Sequence, residues 1–516
     1  MSPPELTPQQ QALFDTLDRT MVEVPAGIFT FGIDDQRRKT EAAREGAHVD
    51  LLYYHAPAQR LKTPTFWIDR YPVTRGQFLR FMKDTGWRLP DEGWTVGWTE
   101  LFDIFGDDPD LMLCPMVGVG APDAAAYARW AGKRLPTEIE WEKVARGADG
   151  RLYPWGDAPV EPAPLDDGCP TLGSTRPVGQ RPELASPCGA EDMKCNTMEW
   201  VVAQFATCAP DGESEDNRTH VLAGSSLLHR RGTSQLVTAR WSWSQQMRIY
   251  NSGFRCVSDT PPEPPAQPVD YTPPTKHFIV RTQVQPERYL KEPIRLIPTD
   301  RATLKIEAPW FPGGMWVVDI PEGHWGPFGG ANDWPYGDPD LWRTDWTASD
   351  DGRTVGYTRS QGDRALAVSA AARDDVVEFV VEPANIGAIT LKTVCFKTLH
   401  PCFSSQEKLT QHRIEGDRLV CCGDLPIMPW MLNSLAWSLG DALEHGAVVM
   451  KSLDGAGYCA IVGPKGCGQK KGNGWPHCTH ITGDVVESES TLRLKMLFYV
   501  GDEAGLIARV REIAFE

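Results

Sequence analysis

Residues 134–156 read Arg134-Leu-Pro-Thr-Glu-Ile-Glu-Trp-Glu-Lys-Val-Ala-Arg-Gly-Ala-Asp-Gly-Arg-Leu-Tyr-Pro-Trp-Gly156, and they decide how the first half of the chain folds. Thr137 stands directly before a helical pattern with Glu140 and Trp141 behind it, a helix N-cap followed by an acidic first turn. Trp141, Val144 and Ala145 fall at helical spacing on one face, so the helix is amphipathic and packs through that face. Gly147 and Gly150 stop it, and Tyr153-Pro-Trp-Gly-Asp turns the chain.

With the preceding Gly132-Lys133, this stretch resembles the signature of the formylglycine-generating (sulfatase-modifying factor) family. Further segments agree in order: EVPAGIFTFG at 23–32, FWIDRYPVTRGQFLRFMKDTGW at 66–87, CGAEDMKCNTMEWV at 188–201 and NSGFRC at 251–256. The resemblance implies an α+β, C-type-lectin-like formylglycine-generating-enzyme fold for residues 23–258.

At 516 residues the chain exceeds one hydrophobic core, and two domains are expected. A hydrophobic fraction of 41% with 23% charged residues is that of a soluble globular protein. No apolar run of about 18 residues is present, so no membrane partner is expected. The first residues, Met1 to Met21, have neither a basic start nor an apolar core and do not read as a secretory signal. A net charge of −17 argues against a nucleic-acid partner, because phosphate binding needs clustered Lys and Arg. Thirteen cysteines, an odd number, fit free thiols in a reducing compartment, and a cytoplasmic location follows.

Along the chain, residues 1–22 form a helical leader, with Thr7 as N-cap and Leu13, Phe14 and Leu17 as an apolar stripe. The sulfoxide synthases that share the family's fold carry a helical domain with iron-binding histidines ahead of it. Here no histidine precedes His48, so a self-sufficient sulfoxide synthase is not expected. Residues 23–32 form a strand, and 33–64 and 88–114 read as insertions without a clear period. Helices are expected from Thr74 to about Asp84 and from Pro122 to Ala131. Seven prolines between Pro261 and Pro274 make 259–276 a stiff extended linker. From 277 to 516 short β-rich runs broken by Gly, Asp-Gly and Pro suggest an antiparallel β-sandwich domain. A short helical piece within 427–445 and a small helix after Asp502 complete it.

The family's oxidase members bind copper(I) through two cysteine thiolates just after a Gly-Gly-Ser strand. In the matching segment, Ala223 to Thr233, Leu228 stands where the first cysteine would be and Thr233 where the second would be. An isobutyl group has no lone pair, and a hydroxyl is a poor ligand for a soft ion. Copper and formylglycine-generating activity are therefore not expected. The resemblance also implies a structural calcium held by Asp192, the carbonyls of Cys195 and Thr197, and Glu199, a set of hard oxygens. The same loop reads otherwise as solvated acidic chain beside a buried Trp200.

Ser225, His229, Arg230, Arg240, Trp241, Trp243 and Asn251 lie on segments that line the family's substrate groove. Arg and Trp are frequent binding anchors; the alternative is core tryptophans and solvated arginines. Ser225 and His229 lack a third orienting group for a nucleophile pair. In the second half, Cys467, His477, Cys478 and His480, like His400, Cys402, Cys421 and Cys422, do not have the paired spacing of a zinc site.

These residues point first to a catalytically degenerate, non-catalytic module that binds or scaffolds a protein or peptide. One alternative is an oxidoreductase of different chemistry in the same groove, with metal from non-cysteine ligands or a partner. Another is a carbohydrate-binding protein acting through Trp430, Trp437 and Trp475 of the β-rich half.

Overall fold

The computed structural model describes residues 5–44, 56–89, 108–158, 176–194, 196–203, 220–225, 236–241, 248, 252–276, 284–298, 303–312, 316–319, 323–324, 344–385, 391–392, 394–398, 411–421, 444–452, 455–464, 471–472, 478–481 and 491–515. The chain divides into two compact units, Met1–Ile279 and Val280–Glu516.

The first unit mixes helices with short strands. It opens with α1 (Pro8–Arg19), β1 (Met21–Val24), β2 (Gly27–Phe31) and α2 (Asp35–Arg44). Next come β3 (Gln59–Thr63), β4 (Phe66–Asp69), α3 (Arg75–Thr85), α4 (Ala121–Trp130) and α5 (Glu138–Arg146). The strands β5 (Met198–Val202), β6 (His220–Ala223), β7 (Arg240–Trp241), β8 (Ser252–Gly253) and β9 (Val257–Ser258) close it. They pair as three small sheets, in the orders β1-β4-β9, β2-β3 and β7-β6-β5-β8.

Three of the helices start with one device. Thr7, Thr74 and Thr137 each accept a hydrogen bond from the backbone N–H three residues on, and the Gln10, Gln77 or Glu140 side-chain oxygen accepts in return from the backbone N–H of the cap. Each such cap contributes about 1 kcal/mol. Trp141, Val144 and Ala145 of α5 then pack against Val24, Phe66, Ile68, Val201, Val221 and Val257. The leader helix α1 buries Phe14 and Leu17 against Leu79 and Leu111–Cys114. Phe14 reaches so far into α3 that a Cβ on Gly76 would lie 2.0 Å from its ring, which is why a glycine occupies a helix interior there.

Two expectations need correction. Residues 33–64 are not all loop: α2 forms through Asp35, which pairs with Arg38 and Lys39 one turn on, and β3 pairs with β2 with Leu61 opposite Phe29. The α2 sequence has too few apolar residues for a hydrophobic period, so charge pairing carries it. Residues 259–276 are extended but not a free linker. Tyr271 stacks edge-on against Tyr71 and donates to the Val178 carbonyl at 2.7 Å. Val269 N–H donates to Thr16, and Lys276 pairs with Asp108 and Asp110. The segment straps the first unit.

The second unit is rich in antiparallel strands. A nine-stranded sheet carries its longest strands, Arg364–Arg373, Val376–Ala384 and Leu492–Val500, side by side, and a six-stranded sheet contains Arg295–Pro298, Thr303–Glu307 and Trp316–Asp319. One hydrophobic cluster draws on both: Leu296, Ile306 and Trp316 from the smaller sheet, Val368, Phe379 and Phe498 from the larger. A second cluster sets α6 (Glu503–Ile513), the expected C-terminal helix, against Val449, Ala460 and Leu497 through Leu506, Ile507 and Val510. Of the helical piece expected within 427–445, the described residues contribute only the start of a short 3-10 turn at Glu444–Gly446.

Candidate functional site

Helix α5 is the post on which the first unit's polar core is hung. Glu142 accepts from Gly32 N–H at 2.6 Å and Arg146 at 2.8 Å through one oxygen, and from Arg240 at 2.6 Å through the other. Arg146 continues to the carbonyls of Gly32 and Gly150, at 2.6 and 2.7 Å. Arg240 also reaches Glu138 at 3.4 Å and the carbonyls of Val237 and Ala239, and its guanidinium lies over the rings of Phe31 and Trp141. Arg240 was expected to line a groove. It is 3% exposed and committed on every side, because a buried guanidinium requires such pairing, so it anchors β7 to α5 and is withdrawn from the groove.

A second buried group joins α5 to β5. The Trp141 indole N–H donates to Glu199 at 2.7 Å, and Arg255 binds both Glu199 oxygens at 2.8 and 2.9 Å. A third ties the leader helix down. The Asp18 carboxylate accepts from Gln77 at 2.7 Å, from Arg80 at 3.0 Å and from the Tyr127 hydroxyl. Lys133 bridges from the Asp18 carbonyl to Asp69, at 2.6 Å from the latter. Sequence reasoning missed Asp18, Lys133, Glu142 and Arg255. The readable signal for Arg255 is a lone cation inside the apolar run Phe254-Arg255-Cys256-Val257, which demands a buried acid elsewhere.

The segment expected to line the groove begins where β6 ends. Gly224 has a φ of +84°, and a Cβ there would lie 3.1 Å from Trp141, so the chain turns tightly over that indole. Ser225 follows, fully buried, and its hydroxyl has no hydrogen-bond partner among the described residues. Trp241 pairs with Leu222 through its backbone. Leu228, His229, Arg230, Thr233, Trp243 and Asn251 lie outside the described residues, as do Cys195, Trp430, Trp437, Trp475 and most of the cysteines and histidines of the second half. Copper does not fit the donor set, since neither Leu228 nor Thr233 offers a thiolate. Burial, reinforced by Asp69, pushes the Cys256 thiol up, which disfavours the thiolate.

The loop expected to hold calcium is differently occupied. Asp192 adopts a φ of 54° and accepts the Gly179 N–H at 2.6 Å. Burial pushes its carboxyl up to about 6, against the opposing pull of the Gly179 N–H and the nearby Arg176 and Arg255. Lys194, 4% exposed, places its ammonium 2.7 Å from the Leu236 carbonyl. Glu199 accepts three hydrogen bonds, two from Arg255 and one from Trp141, so a divalent ion at its remaining acceptor site would lie against a guanidinium. Cys195, another of the expected calcium ligands, lies outside the described residues. Among the described residues no three His, Cys, Asp or Glu side chains converge to hold a metal.

Comparison with known proteins agrees with the fold. Residues 7–260 match the family described as the sulfatase-modifying factor enzyme 1-like domain. A formylglycine-generating enzyme from Mycobacterium tuberculosis is 30% identical over 277 residues, covering 40% of this chain and 91% of that protein. An inactive C-alpha-formylglycine-generating enzyme 2 from Bos taurus is 27% identical over 290 residues, covering 46% of this chain and 87% of that one. A hercynine oxygenase from Mycolicibacterium thermoresistibile is 38% identical over 167 residues, covering 28% of this chain and 37% of its own length.

Proposed function

The chain belongs, through residues 7–260, to the sulfatase-modifying factor enzyme 1-like family, and from that membership we propose a catalytically degenerate member that binds a protein or peptide in its groove. Leu228 and Thr233, in the places of the family's copper thiolates, support the loss of oxidase chemistry. Ser225 carries the binding half of the reading. A buried hydroxyl left unpaired costs about 1–3 kcal/mol, and an incoming backbone amide or carbonyl would recover that cost once the cover over fully buried Ser225 opened to admit it. The inactive bovine relative is in keeping with this reading.

The test uses the intact chain, copper(I) and a cysteine-containing peptide of the kind presented to formylglycine-generating enzymes. Binding without conversion of the thiol to an aldehyde is the expected result. Ser225→Ala should weaken binding about fivefold, the loss of one hydrogen bond. The double variant Leu228→Cys, Thr233→Cys should gain copper(I) binding. Aldehyde formed by the unaltered protein would sink the proposal.

A second reading, an oxidoreductase of other chemistry in the same groove, draws on the similarity to hercynine oxygenase. Stoichiometric iron or copper in protein purified without chelator would favour it. The second unit is best read as a β-sandwich, supported by the one hydrophobic cluster drawn from both sheets. Among the described residues Cys188, Cys256 and Cys459 form no disulfide, in keeping with a reducing, cytoplasmic setting.

A further inference from the structure

Arg255 and Glu199 are both fully buried. A guanidinium has five N–H donors, and all five of those on Arg255 are used. Two go to the Glu199 oxygens at 2.8 and 2.9 Å. Three go to backbone carbonyls: Asp69 at 3.0 Å, Arg70 at 3.1 Å and Glu191 at 2.8 Å. One positive centre thus gathers a carboxylate and three carbonyls from two chain segments far apart in sequence, the end of β4 and the 191–199 loop. That is the oxygen set a hard cation collects when it pins an irregular loop.

We infer that Arg255 is the cation of this loop, doing with a guanidinium what the family resemblance assigns to calcium, and that the 191–199 loop holds its shape without a divalent ion. The charges support it. Glu199 has one negative charge, and Arg255 already neutralises it at contact distance with no water between. A divalent ion at the same carboxylate would sit against a buried positive group that cannot be deprotonated. One oxygen of Glu191 takes Arg70 at 2.7 and 2.9 Å, while its other oxygen is buried without a hydrogen-bond partner among the described residues. Lys194 brings a second buried cation into the loop itself, on the Leu236 carbonyl. The inference concerns the first unit's frame and is independent of what the groove binds.

The experiment is calcium content and thermal stability of the full chain, purified without chelator and compared in calcium, in magnesium and in EDTA. The expected result is less than about 0.1 calcium per chain and melting temperatures equal within about 1 °C in the three conditions. One calcium per chain, with EDTA lowering the melting temperature by several degrees and both effects lost in Asp192→Asn, would overturn it. Calcium that survives both Asp192→Asn and Glu199→Gln sits elsewhere, and the inference stands. Because the deciding measurement is made on the unaltered protein, it does not depend on whether Arg255 variants fold. Where Arg255→Lys does fold, its three donors cannot span five oxygens, and added calcium should not restore the lost stability.

Discussion

The strap over residues 259–276 offers a direct test of whether this segment belongs to the first unit. Tyr271→Ala removes three things at once. The hydroxyl that donates to the Val178 carbonyl at 2.7 Å is lost, worth about 1 kcal/mol. So is the edge-on contact with Tyr71, with ring centroids 5.7 Å apart, worth about 0.5–1.5 kcal/mol. The half-buried ring also leaves the cluster formed by Phe14, Leu17 and Leu79, losing about 1 kcal/mol of apolar burial. Together these amount to about 3 kcal/mol. For a unit of this size that lowers the melting temperature by about 6–12 °C. Tyr271→Phe keeps the ring and loses only the hydrogen bond, so its shift should be about 2–4 °C. Differential scanning calorimetry of the full chain resolves the transition of the first unit from that of the second. Because burial first, and nearby Asp192 next, hold the Tyr271 phenol well above its ordinary range, both shifts should be independent of pH between about 6 and 9. A Tyr271→Ala transition within about 1 °C of the unaltered protein would mean the segment is only a spacer.

Two further perturbations probe the buried charges. Asp192 has its carboxyl pushed up to about 6. The folded chain therefore holds that proton more tightly than the unfolded chain, and the associated stability is complete below about pH 4 and lost as pH rises through about 6. Asp192→Asn should be more stable than the parent by an amount on the order of 3 kcal/mol at pH 7.5, the difference closing toward pH 4; urea titrations giving one constant difference would refute this. Arg240→Ala removes the Arg240 contact of Glu138 and leaves Glu142 with Arg146 alone, and should cost about 3–5 kcal/mol in the same assay, with part recovered by adding Glu142→Gln. A cost below about 1 kcal/mol would return Arg240 to the surface groove.

The parts that could be read from sequence are those whose local pattern and tertiary role coincide. Helix α5 has its cap, its acidic first turn and its apolar face within one contiguous run, so nothing distant was needed to see it. Val376–Ala384 alternates buried and less buried positions along its length, and the period of two shows in the residues themselves. The strap was misread because proline content reports backbone stiffness and is silent on what the backbone lies against; the informative residue is Tyr271, one aromatic among the prolines. Arg240 was misread for a related reason. Arginine is usually exposed, and its burial follows only from Glu138 and Glu142 on a helix about a hundred positions earlier.

Under the proposed reading, the same separation would let fold and oxidase chemistry come apart. The groups that hold the first unit together are Trp141, Glu142, Glu199, Arg240 and Arg255, all buried and all bonded to one another or to backbone. The residues whose identity decides oxidase chemistry, Leu228 and Thr233, are none of these. On that reading a chain can lose both thiolates without loosening any of those bonds, and a family signature made mostly of frame residues would continue to match. Placing cysteines at 228 and 233 should change copper affinity while leaving the stability of the first unit within about 0.5 kcal/mol, since neither position is one of those bonded groups.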